Sequence, residues 1–117
     1  MARAISLSFS EDSDRMLENS VFLMLKHFSG EIYYYKDEKS ECDFLVKKDN
    51  KIIIAVQVCW HLTADNIERE LNGLKNAIKS GLVHNALIVT LNQEESFDGI
   101  KAIPTWKFDK RIKGLKL

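Results

Sequence analysis

The stretch 51–60, KIIIAVQVCW, constrains this chain more than any other. Ile52, Ile53, Ile54, Ala55 and Val56 form an unbroken apolar run of strand length, rich in β-branched residues, and it reads as a buried strand. The run closes on an amide, Gln57, and a thiol, Cys59. Two apart in an extended chain, both side chains leave the same face, at the end where packing gives way to presented groups.

The flanking segments say what surrounds that strand. From Ser13 to Phe28, Leu17, Val21, Met24, Leu25 and Phe28 recur at spacings of three and four, the stripe of an amphipathic helix. Ser10, Asp12 or Ser13 would cap its start, and Gly30 would stop it. EIYYYK and CDFLVKK are short and aromatic or β-branched, so they read as two strands that precede the buried one in an antiparallel meander. Asp49 and Asn50 suit a turn with positive φ between the second and third. After the buried strand, Ile67, Leu71, Leu74 and Ile78 mark a second helix, with Asp65 and Glu68 as a capping box and Gly81 as its end. NALIVTL then reads as a strand, parallel to the third through a helical crossover. NQEESFDG reads as a loop, Pro104 points to an edge position for IKAIPTWKF, and the basic C-terminal residues carry no assignment. The order α-β-β-β-α-β places helices on a mixed sheet, an α/β fold.

Length and composition set outer bounds. The 117 residues suit one domain with one core, and 45% hydrophobic against 29% charged residues is an ordinary globular balance. No apolar run is long enough to cross a bilayer, and the N-terminus lacks the apolar stretch of a secretory signal, so a cytoplasmic location with no membrane partner is expected. Cys42 and Cys59 are too few for a disulfide framework. Seventeen basic and seventeen acidic residues cancel, so nucleic-acid affinity would have to be local. A basic C-terminal tail and the aromatic residues Tyr33, Tyr34, Tyr35, Trp60 and Trp106 are candidates for it, though solvated surface and ordinary packing account for them as well. Cys42, Cys59, His61 and His84 lack the paired short spacings of a structural zinc site.

Glu18 on the first helix, Asp43 on the second strand, and Gln57 with Cys59 on the third make an arrangement that resembles the core of the PD-(D/E)XK nuclease superfamily. More closely, LENSVFLMLK, EIYYYK, ECDFLV, IAVQVCW, ERE and IPTWKF resemble the C-terminal domain of a large prokaryotic family of AAA-type ATPases, over nearly the whole chain from Phe9 to Phe108. The resemblance implies one restriction-endonuclease-like domain over residues 1–117, belonging to a longer protein. No GxxxxGK[ST] sequence occurs here, so ATP would bind only through an N-terminal ATPase module outside this chain. DNA, that module and further copies of the chain are the partners implied.

The same resemblance implies a Mg²⁺ site on Glu18, Asp43 and Gln57, with Cys59 at the position of the family's lysine. Octahedral Mg²⁺ takes hard oxygen ligands and generates the attacking hydroxide, while the lysine stabilises developing charge. Gln57 offers a neutral oxygen where a carboxylate is expected, and a thiol cannot replace an ammonium. Arg69, Lys75, Lys79 or Lys51 would have to supply a migrated cation, and Arg69 also resembles a partner-contacting residue at the pocket rim. The leading expectation is a catalytically impaired accessory domain that binds nucleic acid or protein. The alternatives are an active Mg²⁺-dependent DNA endonuclease and a structural interaction module.

Each site residue also has a plainer reading: Glu18 as solvated helix surface, Gln57 as a buried amide bonded to backbone, Cys59 as core. Register discriminates. A bare two-residue turn at Asp49 and Asn50 sets Asp43 against Val56, whereas a longer loop or a bulge sets it against Gln57 and brings the two to one face. The resemblance requires the second.

Overall fold

A computed structural model describes residues 9–28, 31–36, 41–79 and 85–114. Its elements are α1 (Phe9–Phe28), β1 (Glu31–Lys36), β2 (Glu41–Lys48), β3 (Lys51–Val58), α2 (Ile67–Lys79), β4 (Ala86–Thr90), β5 (Glu95–Phe97), β6 (Ile100–Pro104) and α3 (Thr105–Gly114). The strands form one mixed sheet in the order β1-β2-β3-β4-β6-β5. β1, β2 and β3 make the antiparallel meander, α2 crosses over to a parallel β4, and β6 lies parallel to β4 with β5 antiparallel at the far edge.

Helices cover both faces, and β3 shows why its sequence is apolar throughout. Ile54, Val56 and Val58 pack on one side with Leu17, Val21 and Leu25 of α1 and Phe108 and Ile112 of α3. Ala55 and Cys59 pack on the other with Leu71, Leu74 and Ala77 of α2. A strand covered on both faces has no polar side to alternate. The four-residue spacing of Leu17, Val21 and Leu25, and of Phe108 and Ile112, sets one helical stripe each toward the sheet.

Several expectations need correction. α1 starts at Phe9, so Ser10, Asp12 and Ser13 lie inside its first turns. α2 is capped by Thr63 and Asn66, where the Asn66 N–H donates to Thr63 Oγ1 (3.3 Å) and the Thr63 N–H donates to Asn66 Oδ1 (2.9 Å). That exchange is a capping box built two residues ahead of Asp65 and Glu68. The expected loop contains β5, which forms a hairpin with β6 through Asp98 and Gly99, whose φ values are 51° and 86°. Pro104 ends an interior strand, paired with Thr90, where a missing N–H costs little because the chain turns at once into α3. The basic residues from Lys107 to Lys113 lie in that helix, and Thr105–Phe108, the end of IKAIPTWKF, are helical rather than extended. Gly30, Gly81 and His84 lie outside the described residues. None of the described helices is long and apolar enough to cross a membrane.

The β2–β3 turn has two residues, with Asp49 at φ 54°, Asn50 at φ 67° and Lys48 opposite Lys51. The register then slips: Lys47 faces Ile52 but Val46 faces Ile54, so Ile53 is an extra residue on β3. Beyond this bulge Phe44 faces Val56, which brings Asp43 level with Gln57. A second irregularity lies between β1 and β2. Tyr33 faces Leu45 and Tyr35 faces Cys42, so Asp43 and Phe44 together oppose Tyr34.

Candidate functional site

Where β2 and β3 end together, side chains take over from the backbone ladder. The Asp43 N–H donates to Gln57 Oε1 (2.8 Å), and the Val58 N–H donates to Asp43 Oδ2 (2.8 Å). Gln57 Nε2 donates in turn to the carbonyl of Glu70 on α2 (3.1 Å). One amide thus ties β3 to β2 and to α2, while Asp43 ties β2 back to β3. These bonds satisfy backbone groups that the parting strands would otherwise leave without partners.

On the other side, the Asp43 carboxyl lies beside Glu18 of α1, whose proximity helps to raise it. Burial is the main force pushing Asp43 up to about 7; the charges of Glu18 and Glu70 add to it, and the Val58 N–H opposes it. Asp14, one turn before Glu18, accepts the Trp60 N–H at 2.8 Å, so α1 holds the chain just beyond β3.

Gln57 and Cys59 are both buried, each 4% exposed, so the end of β3 packs and presents neither. The Cys59 thiol donates to the His61 carbonyl (3.4 Å) and accepts from Asn66 Nδ2 (3.6 Å). Burial first, then the charges of Glu70 and Asp14, pushes it up to about 11, and burial pushes Cys42 up to about 12. Both are thiols at neutral pH. Arg69 points outward, its side chain 77% exposed, and its guanidinium pairs with Glu70 at 3.1 Å. Lys75 is held by Asp98 at 2.9 Å.

The structure therefore brings Glu18, Asp43 and Gln57 together, but with different directions. Gln57 turns to α2, whereas the Asp43 carboxyl reaches Glu18 on the opposite helix layer. A Mg²⁺ ion would need their oxygens to converge, and the arrangement does not fit one. Gln57 Oε1 faces the Asp43 N–H with its amide drawn toward α2, while the Asp43 carboxyl lies toward Glu18 of α1, so these oxygens do not point to a common centre. Among the described residues no group of three or more His, Cys, Asp or Glu side chains is placed to hold a metal ion. Among the same residues no buried side-chain nitrogen or oxygen lacks a partner.

Two contributors were not singled out from sequence: Asp14 and Gln93. Asp14 lies four residues before Glu18, a spacing that puts both on one helix face. Gln93 accepts the Leu62 N–H (2.6 Å) and donates to the Leu62 carbonyl (3.0 Å), fixing the segment after β3. No sequence pattern signals that contact. Beside the Glu18–Asp43 pair a pocket of about 230 Å³ opens between α1 and β1, lined by Phe22, Phe44, Tyr33 and Tyr34 among others.

Comparison with known proteins adds family membership. The chain is 36% identical over 118 aligned positions to the uncharacterized protein MJ1544 of Methanocaldococcus jannaschii, an alignment covering 88% of this chain and 26% of that protein. The chain thus spans about a quarter of the length of that relative. No solved structure matches it significantly. Residues 13–108, most of the described fold and all of the candidate site, match the family described as "Domain of unknown function (DUF4143)", and the chain belongs to that family.

Proposed function

We propose that this chain is a nuclease-like accessory domain that does not cut nucleic acid and serves as a binding module within a longer ATPase-type protein. One observation carries the reading: both ends of the Gln57 amide are committed to backbone, to the Asp43 N–H and the Glu70 carbonyl. A group that staples three elements together is not free to orient a metal or a water. Cys59 reinforces the point, because a buried thiol supplies no positive charge for a leaving phosphate. The longer protein is supported by the quarter-length overlap with the archaeal relative and by the sequence resemblance to ATPase C-terminal domains.

The test is incubation of the chain and an Asp43→Asn variant with single-stranded, duplex and branched DNA, first with Mg²⁺ and then with Mn²⁺. Neither protein is expected to cleave any substrate. Cleavage by the parent that disappears in the variant would overturn the reading in favour of an active endonuclease.

A further inference from the structure

We propose that the outer face of α3 binds single-stranded nucleic acid, with one base stacked on Trp106 and neighbouring phosphates held by Lys110, Arg111 and Lys113. This inference rests on the binding-module reading above and names the ligand and the surface that takes it.

The helical period divides α3 into two sides. Phe108 and Ile112 are buried in the core shared with α1 and the sheet. Trp106, Lys110 and Lys113, at spacings of four and three, fall on the opposite side, and all three are exposed. Arg111 is exposed beside them. The helix carries four basic residues against the single acid Asp109, in a chain whose acidic and basic residues cancel. Positive charge absent from the whole molecule is therefore concentrated on one helix, where it can attract a polyanion locally. Lys107 is held by Glu94 at 2.7 Å and Lys113 by Asp109 at 3.2 Å, both at the surface, where such pairs are weak and exchangeable. Lys110 and Arg111 have no carboxylate partner among the described residues.

Trp106 selects among polyanions. The side chain is 61% exposed, and Lys107 lies 5.5 Å from its ring centroid. An aromatic ring at an open surface, with cations following it along the same helix face, is the combination that receives unpaired bases while tracking their backbone. The helical rise sets Lys110 and Lys113 about 6 and about 10 Å along the axis from Trp106, so a strand running down the helix from a stacked base meets a cation at each turn. A duplex keeps its base faces inside its own stack and offers the ring nothing, whereas a single strand can splay a base onto it. An acidic protein segment would meet the cations and leave the ring without a stacking partner.

The experiment titrates the chain, in EDTA, with a labelled single-stranded oligothymidylate, using a duplex of equal length and polyglutamate as competitors. Trp60 and Trp106 are the two tryptophans of the chain, so intrinsic fluorescence reports on the stacked ring. The expected result is saturable binding that duplex and polyglutamate displace poorly, with quenching that is lost in Trp106→Phe while binding persists. Affinity should fall about tenfold in Trp106→Ala. The double variant Lys110→Gln, Arg111→Gln removes two phosphate contacts and should lower the slope of log affinity against log salt by about 1.4. These side chains are exposed, and thermal unfolding checks that each variant keeps the fold. The inference is overturned by no binding, by unchanged affinity in Trp106→Ala, or by a salt slope indifferent to the double variant. Equal displacement by polyglutamate would overturn it in favour of an acidic protein partner, and equal displacement by duplex would overturn the stacking. EDTA prevents metal-dependent cutting, so DNA cleavage in the separate Mg²⁺ assay would instead overturn the reading on which it rests.

Discussion

Gln57 and Asp43 face each other across the parting ends of β3 and β2, and the side-chain oxygen of the first accepts the backbone N–H of the second at 2.8 Å. The Gln57 and Asp43 side chains thus form a structural joint, bonded to backbone groups of β2, β3 and α2.

Removing the amide should expose that role. Gln57→Ala leaves the Asp43 N–H and the Glu70 carbonyl without their partner, and should cost about 2–4 kcal/mol of unfolding free energy in urea titrations. Gln57→Glu sets a carboxylate against the Glu70 carbonyl and near Asp43. It should be destabilised at neutral pH, regain stability as the medium is acidified, and still fail to cleave DNA.

Stability should depend on pH through Asp43. Its folded-state value of about 7 stands above the ordinary 3.8, so the native state holds the extra proton between the two. The stabilisation is complete below the ordinary value and is lost as pH rises through that window, a change on the order of 3 kcal/mol. Asp43→Asn keeps an oxygen for the Val58 N–H and gains a permanent donor for Glu18. Thermal unfolding should show the variant more stable than the parent at pH 8 and flatter in its pH profile.

The two cysteines should be inert in the folded protein. Both are buried and held as thiols, so labelling with a thiol-reactive disulfide at pH 8 should be slow until denaturant is added. Thiolate release from both at once on unfolding is the expected signal.

Two elements outside the sequence reading also have measurable weight. Thr63→Ala removes the oxygen that caps α2 and should cost about 1 kcal/mol. Phe108→Ala opens a hole where α3 meets the sheet and should cost about 3–5 kcal/mol. Chemical denaturation reads both.

The sequence revealed most where periodicity is dense. The α1 and α2 stripes, the meander and the crossover to β4 follow from apolar spacing that burial enforces, and Asp49-Asn50 follows from two residues that tolerate positive φ. β5 and α3 were illegible for opposite reasons. β5 is too short and polar to show alternation, and the apolar stripe of α3 consists of Phe108 and Ile112 amid basic residues. The approach of Asp43 to Gln57 was legible only as a choice between registers, since the bulge at Ile53 has no local sequence mark in a run of three isoleucines. The direction each side chain takes was hidden altogether, because it depends on the Glu70 carbonyl and on Glu18, which belong to helices distant in the chain.

The most direct measurement is an NMR titration of the labelled protein with Mn²⁺, following the Gln57 side-chain amide and the backbone amides of Asp43 and Val58. If Gln57 is a joint between backbone groups, its amide protons remain protected from exchange and none of these signals broadens ahead of exposed carboxylates. Selective broadening of the three at low Mn²⁺, with loss of protection at Gln57, would show a metal site where the structure has a staple.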